Sequence, residues 1–130
     1  MKIIIAGSRT IKNYSLVKRV IKESNFDITE VVSGTAKGVD KLGERYSKEI
    51  LGKEPKIFEA EWTNIYHPDA VIRTNSSGRK YDASAGHRRN EKMANYADAL
   101  IVIIKDNSKG SMDMLQIAQK KGLKIHCEFI

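Results

Sequence analysis

Cysteine occurs once in this chain, at position 127, proline twice and tryptophan once. Each scarcity excludes a class of protein. A single Cys127 cannot close an internal disulfide, and no Cys/His cluster has metal-ligand spacing, so a disulfide scaffold and a structural metal site are both excluded. A reducing compartment, the cytoplasm, is the expected home, with no metal and no resident cofactor. Aromatic residues make up only 7% of the chain, which leaves few stacking platforms for single-stranded nucleic acid. No apolar run is long enough to cross a membrane. The opening segment Met1 to Ala6 is too short for a signal core and is followed at once by Ser8-Arg9. What the chain does have is 41% apolar residues, enough for one core in a single domain spanning 1–130. Its net charge of +7 favours acidic partners, a phosphorylated small molecule or nucleic acid, although the lysines are dispersed rather than clustered.

Short runs rich in Ile and Val lie at Lys2 to Ala6, Glu30 to Val32, Lys56 to Ala60, Ala99 to Ile104 and Leu123 to Cys127. Runs of this kind, alternating with helical patterns, read as buried parallel strands. The helical patterns are Leu16, Val17, Val20 and Ile21, then Val39, Leu42, Tyr46 and Ile50, and later Met114, Leu115 and Ala118. Right-handed crossovers then place helices on both faces of the sheet. The expected fold is an α/β, Rossmann-like three-layer sandwich with a mostly parallel sheet of about five strands. Between Trp62 and Ser84 the periodicity fails, and Asn, Ser, Gly, Arg and Lys dominate around Asn75 to Lys80. An irregular segment of that length reads as a lid or an oligomer contact, which leaves a homo-oligomer open.

Four segments place glycine, small polar or cationic residues where an apolar run ends, at the strand edge where helix N-termini favour phosphate. Gly7-Ser8-Arg9 follows the first strand and offers a turn with two donors. Ser33-Gly34-Thr35-Ala36-Lys37-Gly38-Val39-Asp40 puts two glycines and a small residue at a strand-to-helix turn. Asp40 has two uses there: capping the helix that begins near Gly38, the commoner use, or holding a ligand hydroxyl or an arginine across the crevice. Arg88-Arg89-Asn90 comes just before a helix whose apolar face carries Met93, Ala94 and Ala97. Two arginines at a helix start oppose the dipole, so they point to an anionic partner, and Arg89 is expected to contact ligand rather than support the fold. Lys109-Gly110-Ser111 opens the helix after the most hydrophobic strand, where a phosphate would meet free N–H groups, the Ser111 hydroxyl and the Lys109 charge. Among the histidines, only His87 stands next to such a segment.

In order, these segments resemble the SLOG superfamily, a Rossmann-like group that includes the Lonely Guy hydrolases and the DNA-processing protein DprA. The chain is similar above all to the small bacterial and phage YspA/YpsA-like branch, from Ile3-Ile4-Ile5-Ala6-Gly7-Ser8-Arg9 through Ala60-Glu61-Trp62 and Ala85-Gly86-His87-Arg88-Arg89-Asn90 to Gly110-Ser111-Met112-Asp113. The resemblance implies a pocket for a nucleotide or nucleotide-derived phosphate ligand, used by a sensor or a nucleotide-processing protein. Likeness to the Lonely Guy enzymes implies hydrolysis of an N-glycosidic bond, with Arg89 four residues before Met93. The glutamate of that motif, however, falls on Met114, whose thioether is no acid or base, leaving Asp113 or Asp40 as stand-ins. Likeness to DprA in Gly7-Ser8-Arg9 and the Ser-Gly-x-Ala-x-Gly-x-Asp run implies binding of single-stranded DNA.

Overall fold

A computed structural model describes residues 1–130. The elements are β1 (Lys2–Gly7), α1 (Tyr14–Ser24), β2 (Glu30–Ser33), α2 (Val39–Tyr46), a π-helical turn (Ser47–Leu51), β3 (Lys56–Ile57), β4 (Ile72–Thr74), β5 (Lys80–Asp82), α3 (Ala85–Tyr96), β6 (Ala99–Ile104), α4 (Lys109–Lys121) and β7 (Lys124–Phe129). Five of the strands form one parallel sheet in the order β3-β2-β1-β6-β7. This is the Rossmann-like layout that the alternating apolar runs predict.

The continuous apolar runs have a direct cause, because successive side chains of a strand point to opposite faces and both faces here are covered. Ile3 and Ile5 pack with Ile101 and Ile103 beneath Val17, Val20 and Ile21 of α1 and Val39 of α2. Ile4 and Ala6 pack with Leu100, Val102 and Ile104 beneath Met93 and Ala94 of α3 and Met114, Leu115 and Ala118 of α4. All six residues of β6 are buried, as expected for an inner strand flanked by β1 and β7.

Three expectations need correction. The pattern Val39, Leu42, Tyr46, Ile50 predicts one continuous helix, but the π-helical turn after Tyr46 adds residues to the turn and rotates Ile50 outward, where it is 56% exposed. The third strand, expected over Lys56 to Ala60, is only Lys56–Ile57 at the sheet edge, both residues exposed. The segment from Trp62 to Ser84 is not wholly irregular. It contains the antiparallel β4–β5 hairpin, with Arg73 opposite Tyr81. Both strands are three residues long and largely exposed, so they carry no apolar alternation to betray them.

Candidate functional site: a cationic cleft at the carboxyl edge of the sheet

Chain order reverses between β1 and β6, the place where open α/β sheets leave a crevice at the carboxyl ends of their strands. Three turns meet there. The turn after β6 contains two successive left-handed residues, Asp106 and Asn107, types that tolerate positive φ, and it delivers the start of α4 to the crevice. No side chain caps the first turn of α4, so its N–H groups, at Lys109, Gly110 and Ser111, are available to an anion. The turn after β2 enters α2 through Gly38, whose φ is +78° and whose position leaves no room for a side chain. A Cβ there would lie 2.3 Å from the Ser8 carbonyl oxygen.

The resulting cleft has a volume of about 270 Å³ and is lined by Gly7, Arg9, Ala36, Asp40, Arg89, Asn90, Lys109, Gly110 and Ser111, with Ala6, Met93, Ser108 and Met114 completing it. Eight of the thirteen expected ligand contacts therefore share one cleft, and Gly34 lines the neighbouring one. Three cations, Arg9, Arg89 and Lys109, face one carboxylate. That carboxylate, Asp40, is 4% exposed, and it does not cap α2: its Oδ2 accepts from the Ala36 N–H at 3.2 Å. Burial pushes the Asp40 carboxyl up to about 6, only partly offset by the Ala36 N–H, the Arg89 charge and the Gly7 N–H. Opposite it, burial lowers the Arg89 guanidinium from its ordinary value, and the Asp40 charge works against that shift.

The remaining expected contacts lie elsewhere, each for a physical reason. Ser8 is buried and staples β1 to the end of β6, its Oγ accepting from the Lys105 N–H at 2.8 Å and donating to the Lys105 carbonyl at 3.0 Å. Ser33 is buried and donates to Glu44 at 2.7 Å. Gly38 serves the close approach just described. Arg88 does not reach the cleft, because α3 starts at Ala85, earlier than expected, and this turns Arg88 and Arg89 to different sides of a helix already under way. Arg88 donates instead to Asp82, a fully buried carboxylate that also accepts from the Val71 N–H at 3.0 Å and the Ser84 N–H at 2.9 Å. Burial pushes the Asp82 carboxyl up, but these donors more than reverse it and hold it well below the usual carboxylate range.

Asp113 also lies outside the cleft, bridging α4 to α3 through His87 Nδ1 at 2.8 Å and the Asn90 side-chain amide at 2.9 Å. Met114 is 1% exposed and lines the cleft, so the place where the Lonely Guy motif needs a glutamate presents a thioether. Asp40 is the one carboxylate lining the cleft. No group of three or more His, Cys, Asp or Glu residues is placed to hold a metal ion.

One neighbour of the cleft, Trp62, stands in a segment of the resemblance, Ala60-Glu61-Trp62, but not among the expected ligand contacts. A second cleft of about 210 Å³, sharing Arg9, Ala36 and Arg89 with the first, adds Gly34, Thr35, Glu59, Ala60 and Trp62. Trp62 looks remote from the four segments along the chain, and only the hairpin's return onto α3 brings it to the rim. The missing side chain of Gly86 makes room for the ring. A Cβ there would lie 3.0 Å from Cη2 of the Trp62 ring.

Fold and cleft together define a Rossmann-like α/β protein with a cationic crevice at its topological switch point. The chain belongs to the DNA recombination-mediator protein A family, whose model matches residues 1–128. It is similar to the X-ray structure of DNA processing protein A (DprA) from Streptococcus pneumoniae, with a TM-score of 0.66 and 21% sequence identity over 95% of this chain and 48% of that one. The chain thus spans about half the length of that protein, and the likeness is one of fold. No curated protein matches the chain. The DprA-related part of the resemblance is thereby borne out. No helix is long and apolar enough to cross a membrane.

Proposed function

We propose that the chain binds single-stranded DNA by seating the phosphate of a nucleotide unit in the cleft between β1 and β6. The observation that carries this reading is the convergence of Arg9, Arg89 and Lys109 on the uncapped start of α4. Guanidinium groups, an ammonium and free backbone N–H groups are the donor set for a phosphate oxygen. Membership of the DNA recombination-mediator protein A family favours a strand as the bearer of that phosphate. The cleft volume of about 270 Å³ lies at the small end for ligand sites, which suits one nucleotide unit rather than a dinucleotide. That size also supports a second reading, a free nucleotide or nucleotide derivative held by a sensor, as in the YspA/YpsA-like branch. The buried Met114 disfavours glycosidic hydrolysis as the role of the bound state.

The test is fluorescence anisotropy of a labelled single-stranded oligonucleotide across a salt series, with mononucleotides as competitors. One phosphate seated in the cleft predicts a slope of log K against log salt of about −0.7, the value per phosphate neutralised on single strands. Lys109→Ala should weaken oligonucleotide binding at every salt concentration of the series. Oligonucleotide binding that ignores both Lys109→Ala and Arg9→Ala would overturn the cleft as the site. Tight mononucleotide binding with no oligonucleotide binding would favour the sensor.

A further inference from the structure

We infer that Trp62 is the platform for a base, so that the two clefts around Arg9 and Arg89 form one groove with a phosphate end and a base end. The inference deepens the reading of the cleft as a phosphate-seating nucleotide site and rests on it.

Two observations on the Trp62 side carry it. The first is continuity: the second cleft shares Arg9, Ala36 and Arg89 with the first, so a ligand anchored by the two arginines extends into either. The chemistry of the ends differs. The first ends at the N–H groups of α4 beside Lys109. The second contains the Glu59 carboxylate and the Trp62 indole, a pairing that repels another phosphate and suits a flat, uncharged group. In a nucleotide unit that group is the base, and stacking on an aromatic ring accepts any base because each has a π-face.

The second observation is that the ring is held rather than loose. Its six-membered edge lies against Gly86, and a Cβ at that position would come within 3.0 Å of Cη2 and 3.4 Å of Cζ2. The backbone of Trp62 is pinned as well, its carbonyl accepting from the Asp82 N–H at 2.7 Å. A large apolar side chain fixed in this way would ordinarily be buried, yet Trp62 remains 39% exposed. A fixed, partly exposed indole beside two arginines gives a base a stacking surface whose ordering is already complete.

Trp62 is the sole tryptophan of the chain, so its own fluorescence reports on the contact. The experiment titrates the full chain with a short single-stranded oligonucleotide and with an abasic deoxyribose-phosphate strand of the same length, following both Trp62 emission and anisotropy of a labelled strand. The base-bearing strand should quench Trp62 saturably and bind about 5- to 100-fold tighter than the abasic strand, the range that stacking of one base supplies. Trp62→Leu should erase that preference while leaving abasic binding unchanged, and Trp62→Phe should restore most of it. Equal affinity for the two strands, or quenching absent at saturation, overturns the Trp62 platform and leaves the phosphate cleft standing. Failure of both strands to bind overturns the cleft with it.

Discussion

Arg89 donates to the carbonyl of Gly34, a residue fifty-five positions earlier, and so ties α3 to the end of β2 across the mouth of the cleft. The absence of a side chain at Gly34 permits this. A Cβ there would stand 2.6 Å from Arg89 Nη1 and 3.0 Å from Asp40 Oδ2. The atom displaced is the far end of a flexible side chain, so Gly34→Ala should still fold while the guanidinium is pushed from its seat. Oligonucleotide affinity should fall by about tenfold, the loss of one charge-assisted contact, in an anisotropy titration. Unchanged affinity would mean that Arg89 does not need this seat to bind.

Removing the guanidinium itself has a different outcome. Arg89 is half-buried, donates to Gly34 and to the Asn90 side chain at 3.1 Å, and supplies the positive charge opposite buried Asp40. Arg89→Ala should therefore lower the unfolding free energy by about 1–3 kcal/mol, the usual result of leaving buried polar groups unpaired, as well as abolish ligand binding. Denaturant melts of the unliganded protein measure the first effect. A loss below about half a kcal/mol, typical of a surface change, would restore the expectation that this arginine serves ligand alone.

The Asp40 carboxyl sets a pH dependence with a definite sign. Its folded value of about 6 lies above its ordinary 3.8, so the folded state holds the proton more tightly than the unfolded one. The stabilisation from this group is full below pH 3.8 and is lost as pH rises through about 6. Protonation also removes the one negative charge lining the cleft, so phosphate affinity should rise as pH falls through the same window. Asp40→Asn should flatten both curves and make the protein more stable than the parent above pH 6. Persistence of the same slopes in Asp40→Asn would assign them to other groups.

The Asp82–Arg88 pair is expected to govern the hairpin rather than the cleft. Asp82 gathers donors from Val71, Ser84 and Arg88, so Arg88→Met leaves a buried carboxylate without its counter-charge. Amide exchange over residues 70–82 should accelerate, with the protection of β1 and β6 retained. Because the Asp82 N–H also holds the Trp62 carbonyl, Trp62 emission should change in the unliganded variant.

Much of the fold was legible in the sequence because the buried strands are continuous runs of Ile and Val that no other element imitates. Ile3 to Ile5 and Leu100 to Ile104 announce themselves as two-faced strands, and the helices reveal theirs through the stripe of Val17, Val20 and Ile21. Elements that bury little were illegible: the β4–β5 hairpin, the two-residue β3 and the π-helical turn at Ser47–Leu51. The cleft divides in the same way. Arg9, Arg89 and Lys109 stand in segments whose turn chemistry marks the strand edge. Ser8 and Ser33 stand in the same segments, and no local pattern tells a serine that faces ligand from one consumed inside the fold. Arg88 and Arg89 are adjacent letters with opposite employment because helical rotation separates neighbours, and α3 already begins at Ala85, ahead of both.

The interlock at Gly38 bears on how quickly a complex forms. Its backbone lies against the Ser8 and Arg9 carbonyls, and Ser8 is bound in turn to Ile103 and Lys105, so the turns after β1, β2 and β6 hold one another in place. A cleft assembled in this way is complete before any strand arrives. No slow rearrangement stands between encounter and capture, and association should run at a rate set by charge attraction and salt. Differences among ligands will then be differences in how long each stays.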